Sequence, residues 1–348
     1  MQTTTLPTKK NNLLANQDQI QRQIFIGGCS RSGTTLLGAM IGSHPDIICS
    51  PESQFKSDFL RRLWPQTDNL DTNAILNSLT KHWRFKLWEL PESIEELASL
   101  TTEDSFASIL NSLSLAYAKR HGKPNPTAWV DHTPENISYA RSLLDIFPNA
   151  KFIHIIRDGR AVAASILPLD WGPNSIIKAA RWWMRMTSFG LAAEADLGAD
   201  RIMQVRYESL VLDPEPTIQQ ICQFLEIDYD ESMLDAVGFI PPSYTNRQHK
   251  LVGLKPKPSM ATRWQERLTQ REIEIFEHQT RNFLHHLGYD LMYDLQAKGP
   301  SFIEVQLGKL KELYRGEFSN KLKWLVRSYP LWLTRDFYTF AKFSDTNN

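Results

Sequence analysis

Gly28, Gly33 and Thr35 stand in the spacing G-x-x-x-x-G-x-[ST], within the stretch RQIFIGGCSRSGTTLLGAMIGSHPDIICSPES at residues 22–53. A glycine-rich turn that feeds a helix turns several backbone N–H groups and the positive end of the helix dipole toward one point, which makes an anion site. An ATP-binding loop of this spacing carries a lysine before the final Ser/Thr; here that position is Thr34, and the cation is Arg31. A plain strand–helix turn would explain the glycines, but not Ser30, Arg31, Ser32, Thr34 and Thr35 gathered in the same turn. The chemistry these residues can do is to hold a phosphate-like group. A kinase or ATPase would also need an acidic residue ending another strand to help hold Mg²⁺. Asp158 follows the apolar run 152–156, but Arg157 intervenes, so that fit is poor.

Strands and helices must position such a loop, and the sequence alternates them. Short apolar runs at 24–28, 46–50, 127–131, 150–158 and 201–207 predict buried parallel strands. Helical spacing follows at 34–44, around 137–147, at 160–167, at 174–198 and at 213–227, where proline occupies the first turn. Residues 54–122 read as mostly helical, 238–262 as a proline-rich loop, and 269–290 as a helix ending at Gly288. This order predicts an α/β fold with a mainly parallel, P-loop-type sheet flanked by helices. Ligands of such sheets bind at the carboxyl ends of the strands, where the loop at 28–33 would lie.

The bulk properties are permissive. With 348 residues and 42% hydrophobic side chains the chain can bury a sizeable core. Lys+Arg and Asp+Glu both total 39, so net charge gives no reason to expect a nucleic-acid partner, and any basic site must be local. Cys29, Cys49 and Cys222 match no metal spacing and fit a reducing compartment, with Cys29 read as an inert small residue of the loop. The polar N-terminus lacks an apolar signal region and no membrane span is visible, which predicts a cytoplasmic protein.

The loop GGCSRSGTTLL resembles the 5′-phosphosulfate loop of the sulfotransferases that use 3′-phosphoadenosine 5′-phosphosulfate (PAPS). A second stretch, FIHIIRDGRAVAAS at 152–165, resembles the family's 3′-phosphate motif, whose strand-end arginine and later serine would be Arg157 and Ser165. RYESLVLDPEPTIQQICQFLEI resembles a further family stretch and brings in Tyr207. LVGLKPKPSMATRW resembles the late basic loop over the cofactor, with Lys255, Lys257 or Arg263 as its cations. The resemblance covers roughly 22–290 and is closest to the branch of tyrosylprotein and many bacterial sulfotransferases.

That resemblance implies PAPS as sulfuryl donor, no metal, and Glu52 as the general base. Cofactor contacts would come from Gly28, Ser30, Arg31, Ser32, Gly33, Thr34, Thr35, Arg157, Ser165, Tyr207, Lys255 and Lys257. Catalysis would rest on Glu52, Arg31 and His132. The branch usually has lysine where WVDHTPEN has His132, so His132 is read either as that lysine's substitute or as the base. Its peptide-sulfating members carry an arginine soon after the glutamate, where Gln54 stands, which favours a small-molecule, glycan or lipid hydroxyl over a tyrosyl peptide. The alternatives are a P-loop nucleotide kinase and a non-catalytic nucleotide-binding module. The division expected is an arm at 1–22, a sulfotransferase domain at 23–290 with a helical insertion on the acceptor side at 54–122, and a helical aromatic-rich extension at 291–348. That extension is read as a cover on the main domain or a membrane or partner contact. Trp171, Trp182 and Trp183 are candidates for an acceptor pocket, or core.

Overall fold

The computed structural model describes residues 20–90, 93–239, 241, 253, 255–323 and 325. Five strands form one sheet: β1 (Arg22–Gly27), β2 (Ile47–Ser50), β3 (Ala128–Asp131), β4 (Lys151–Ile156) and β5 (Ile202–Arg206). Their order is β2-β3-β1-β4-β5 and every neighbouring pair is parallel, so the expected α/β sheet is present. β1 is central, with Arg22 opposite Ala128 and Ile24 opposite Lys151.

Side chains alternate between the faces of a strand, and here both faces are buried. Ile24 and Ile26 of β1, with Ile153 and Ile155 of β4, pack toward α1 (Thr34–Gly42) and α11 (Pro214–Leu225). Phe25, Trp129 and Phe152 face the other way, joining the core of α2 (Gln54–Leu63), α3 (Thr72–Leu79), α4 (Trp83–Lys86), α5 (Ile94–Ser99) and α6 (Phe106–Arg120). A third cluster unites α8 (Gly159–Ile166), α9 (Ile176–Leu197) and α13 (Gln270–His286). The remaining helices are α7 (Ala140–Ile146), α10 (Tyr207–Leu212), α12 (Ser259–Thr262) and, after α13, α14 (Phe302–Leu313).

Several boundaries differ from expectation for local reasons. β1 ends at Gly27, because Gly28 turns the chain at a φ of 151° with the Ile155 carbonyl too close for any Cβ. The helix expected around 137–147 opens as a 3₁₀ turn, Pro134–Tyr139, before α7. Tyr207 is not strand but the first residue of α10. Ile20, inside the expected arm, is buried in the core under the sheet. Much of the expected loop at 238–262, and the sequence at 326–348, lies outside the described residues.

Candidate active site

Each strand delivers one candidate residue just past its carboxyl end: Arg31 after β1, Glu52 after β2, His132 after β3, Arg157 after β4 and Tyr207 after β5. A parallel sheet forces this convergence, because its strands all end on the same edge.

The loop after β1 is shaped for an anion. Arg31 takes a left-handed φ of 74° and Gly33 a φ of 106°. A Cβ on Gly33 would stand 2.5 Å from Cδ2 of Tyr207, so glycine is required both by conformation and by the ring behind it. The helix that follows, α1, has no side-chain cap at its N-terminus and every one of its residues is buried. A buried helix end without a capping partner leaves N–H donors that a ligand must satisfy. Ser32 Oγ, in the same turn, is fully buried and has no partner among the described residues. Thr34 and Thr35 are buried, and Ser30 is half-buried beside them.

Arg31 ties this loop to the next strand. Its Nε donates to Ser165 Oγ at 3.1 Å, and its own carbonyl accepts from Arg157 Nη1 at 2.9 Å. Arg157 Nη2 donates to the Met260 carbonyl at 3.3 Å, its guanidinium lies 4.0 Å over the Tyr207 ring, and its Nε has no partner among the described residues. Arg31, Arg157, Ser165 and Tyr207 are thus one cluster. Burial lowers the Arg31 pKa, the nearby Arg157 charge lowers it further, and Glu52 works the other way. Two arginines held side by side with an open donor are a demand for negative charge. The orphaned Ser32 and Arg157 donors, with the uncapped α1, fit the phosphate ends of a 3′,5′-bisphosphorylated nucleotide.

Opposite Arg31, Glu52 meets a cation that sequence reading missed. Arg84 of α4 places Nη1 3.4 Å from Glu52 Oε2, with the two side chains 18% and 17% exposed. The Arg84 guanidinium lies 4.1 Å over Trp83. Its backbone N–H donates to His82 Nδ1 at 3.1 Å, and His82 Nε2 is 3.3 Å from Asp58 of α2. Glu135, in the 3₁₀ turn, was also missed; burial raises its pKa, as do Asp58 and Glu52. No motif spacing connects these residues to Glu52: helix packing brings Arg84 there, and the pairing of β2 with β3 brings Glu135.

Beneath them is a buried network. Asp131 accepts from the Thr133 N–H at 2.9 Å and the Thr133 hydroxyl at 2.6 Å, also from Ser53 Oγ, and pairs with Lys56 Nζ at 3.0 Å. Lys56 also donates to Asn136 and lies over the Phe25 ring. Burial alone would raise Asp131, but Lys56 and the Ser53 and Thr133 bonds overcome it and hold the carboxyl down at about 2. Ser53 follows Glu52 and Thr133 follows His132, so the network fixes the backbone at both candidates.

His132 is fully buried, its ring 4.7 Å from that of Phe239 and its Cβ against Gly38. Neither ring nitrogen has a partner among the described residues, and burial lowers its pKa. A neutral imidazole brings a hydrogen bond rather than a charge, which argues against its service as a lysine substitute.

The cations of the late segment, Lys255, Lys257 and Arg263, are exposed, and Lys255 Nζ pairs with Asp235 at 3.1 Å. The segment instead reaches the site through the Met260 carbonyl. Trp183 is core and donates to the Arg157 carbonyl at 3.2 Å; Trp182 and Trp171 are half-buried. Asp158 caps α8 and pairs with Arg160, which leaves it committed. Burial pushes the Cys29 thiol far up, consistent with an inert residue.

A profile described as the sulfotransferase family matches residues 23–231. The protein-tyrosine sulfotransferase of Drosophila melanogaster is 29% identical over 238 residues, 67% of this chain and 44% of that protein. The protein-tyrosine sulfotransferase A of Caenorhabditis elegans is 30% identical over 218 residues, 61% of this chain and 51% of that one. The chain spans about half the length of these curated relatives. Among solved structures, the sulfotransferase domain of the Synechococcus PCC 7002 olefin synthase superposes with a TM-score of 0.54 at 24% identity, covering 79% of this chain and 98% of that one. The sulfotransferase domain from the curacin biosynthetic pathway gives 0.51 at 20%, covering 77% and 98%. These two share the fold.

Proposed function

Because the chain belongs to the sulfotransferase family, we propose that it moves a sulfuryl group from PAPS to an acceptor hydroxyl, with Glu52 as general base. The observation that carries this reading is the coupling of the two arginines. Arg31, at the uncapped N-terminus of α1, and Arg157, at the end of β4, form one electropositive cluster, and Glu52 faces it. When bound, the donor supplies a sulfuryl group on a phosphate leaving group.

The chain's own part is to bind, orient and move a proton. The α1 N-terminus, Ser32, Thr34, Thr35 and Arg31 would hold the 5′ end, where charge builds on the leaving oxygen as in phosphoryl transfer. Arg157 and Ser165 would take the 3′-phosphate. Glu52 would accept the acceptor's hydroxyl proton, aimed by Arg84 on one side and by the Asp131 network on the other. Neutral His132 would contribute a hydrogen bond at the same edge. The acceptor we favour is a hydroxyl of a small molecule, glycan or lipid. A tyrosyl peptide is the second reading, since Arg84 supplies the guanidinium that Gln54 does not.

Thermal unfolding in the presence of a chelator tests the donor. Adenosine 3′,5′-bisphosphate at a hundredfold over Kd should add about 2.7 kcal/mol. Stabilisation by Mg·ATP with no response to the bisphosphate would return the chain to the kinase reading.

A further inference from the structure

The helix at 302–323 is mounted inside out. A surface helix ordinarily turns its apolar stripe to the core and its polar side to water. Here the polar side is the one attached. Glu304 pairs with Arg271 at 2.8 Å. Glu312 accepts from the Asn174 and Ser175 N–H groups, both at 2.8 Å, at the start of α9. Arg315 donates to the Leu167 and Leu169 carbonyls, and Asn320 is buried against Asn174. A π-helical turn, Tyr314–Ser319, lets Arg315 and Asn320, five positions apart, point to the same side.

Ile303, Leu307, Leu310, Tyr314, Phe318 and Leu322 face away from the domain, each more than half exposed. Among the described residues, eleven of the fifteen exposed large hydrophobic side chains lie beyond residue 290, and only Trp64, Phe189, Leu212 and Val237 before it. An apolar stripe of this length marks an interaction surface.

Charge says which kind. Glu304 and Glu312 are turned inward and neutralised by Arg271 and Lys178. Lys309, Lys311 and Lys323 are exposed beside the stripe, and the outward acid Glu317 pairs with Lys321. The outer side is therefore apolar with a positive border, which a second copy would repel and an anionic surface would attract. The sequence that follows, 326–348, keeps the composition: Tyr329, Trp332, Phe337, Tyr338, Phe340 and Phe343 with Arg327, Arg335 and Lys342 against Asp336 and Asp345. Aromatic and basic side chains together suit the headgroup layer of a bilayer.

We propose that the outer face of 302–323 lies on an anionic lipid surface and holds the protein there as a peripheral membrane protein. No described helix is long and apolar enough to cross a membrane, so this contact is interfacial. The proposal is independent of the reaction assigned above.

Co-sedimentation of the full chain with phosphatidylcholine vesicles, with and without phosphatidylglycerol, tests it. Binding should require phosphatidylglycerol and weaken with salt. Lys309→Gln and Lys311→Gln should each lower the affinity about fivefold. Leu307→Glu with Leu310→Glu should abolish binding at an unchanged melting temperature, because both side chains already face water. No binding to either vesicle, equal binding to both, or a dimer that the double glutamate variant dissociates would overturn the proposal.

Discussion

Arg84 holds Glu52 from an element that follows it in sequence and overhangs it in space, with Nη1 3.4 Å from Oε2. The Arg84 Nε, fully buried, has no partner among the described residues. Arg84→Met should therefore leave Glu52 present but unaimed. Turnover should fall roughly tenfold, about 1.4 kcal/mol of barrier, while the Kd for adenosine 3′,5′-bisphosphate stays unchanged. Arg84→Lys should recover part of the loss. An equal fall in donor affinity would make Arg84 a structural prop for the whole site. Steady-state kinetics beside calorimetry separates the two.

Glu52→Gln keeps shape and removes basicity. If Glu52 is the base, kcat should drop by about 10²–10⁴, again with donor binding intact. His132→Ala should cost less, since the buried imidazole contributes no charge at neutral pH. Full activity in Glu52→Gln alongside a dead His132→Ala would reverse these roles.

Arg157 has two duties in the structure, one to Arg31 and Met260 through its Nη atoms and one open through Nε. Arg157→Ala should weaken adenosine 3′,5′-bisphosphate more than adenosine 5′-monophosphate, the difference being roughly 1.5–3 kcal/mol for a lost charge-assisted bond. Titration calorimetry with both nucleotides reads it. Equal weakening would leave Arg157 only the brace on Arg31.

Lys56 and Asp131 are both fully buried, so removing one partner strands the other. Lys56→Met should destabilise by about 3–5 kcal/mol, and adding Asp131→Asn should return much of that. The pH dependence has a definite sign. Asp131 is held at about 2 in the fold against an ordinary 3.8. Its depressed value contributes about 2 kcal/mol that is fully present above about pH 5 and lost as pH falls through about 2. His132 acts earlier: burial lowers its pKa, so stability should begin to fall below the ordinary histidine range, and His132→Asn should remove that first decline. Urea unfolding across this pH span, for wild type and the variants, checks both.

The strands and the anion loop were legible because each is local: an apolar run, a glycine pair at fixed spacing, an arginine at a strand end. Such patterns are written in neighbouring residues. The order of the sheet was not read, because it depends on which strands meet at long separation. Arg84 and Glu135 were invisible for the same reason: Arg84 reaches Glu52 only after α4 has packed, and Glu135 only after β2 and β3 have paired. Lys255, expected at the cofactor by its place in a basic stretch, is exposed and pairs with the likewise surface-lying Asp235. His132, read from WVDHTPEN as a lysine's substitute or as the base, is buried against Gly38 and Phe239, and burial lowers its pKa.

The central position of β1 bears on how the chain is made. A ribosome delivers Arg22–Gly27 well before its two lateral partners, Ala128–Asp131 and Lys151–Ile156. Until Ile156 has left the exit tunnel, β1 has at least one bare edge, and until Asp131 it has two. The helices 54–120, largely in contact with one another, can gather during that wait, whereas the strand that carries the loop cannot. A parallel sheet assembled from such distant pieces closes slowly and exposes sticky backbone while it waits. The nascent chain thus carries unpaired β1 backbone from the emergence of Gly27 until Ile156 has followed it.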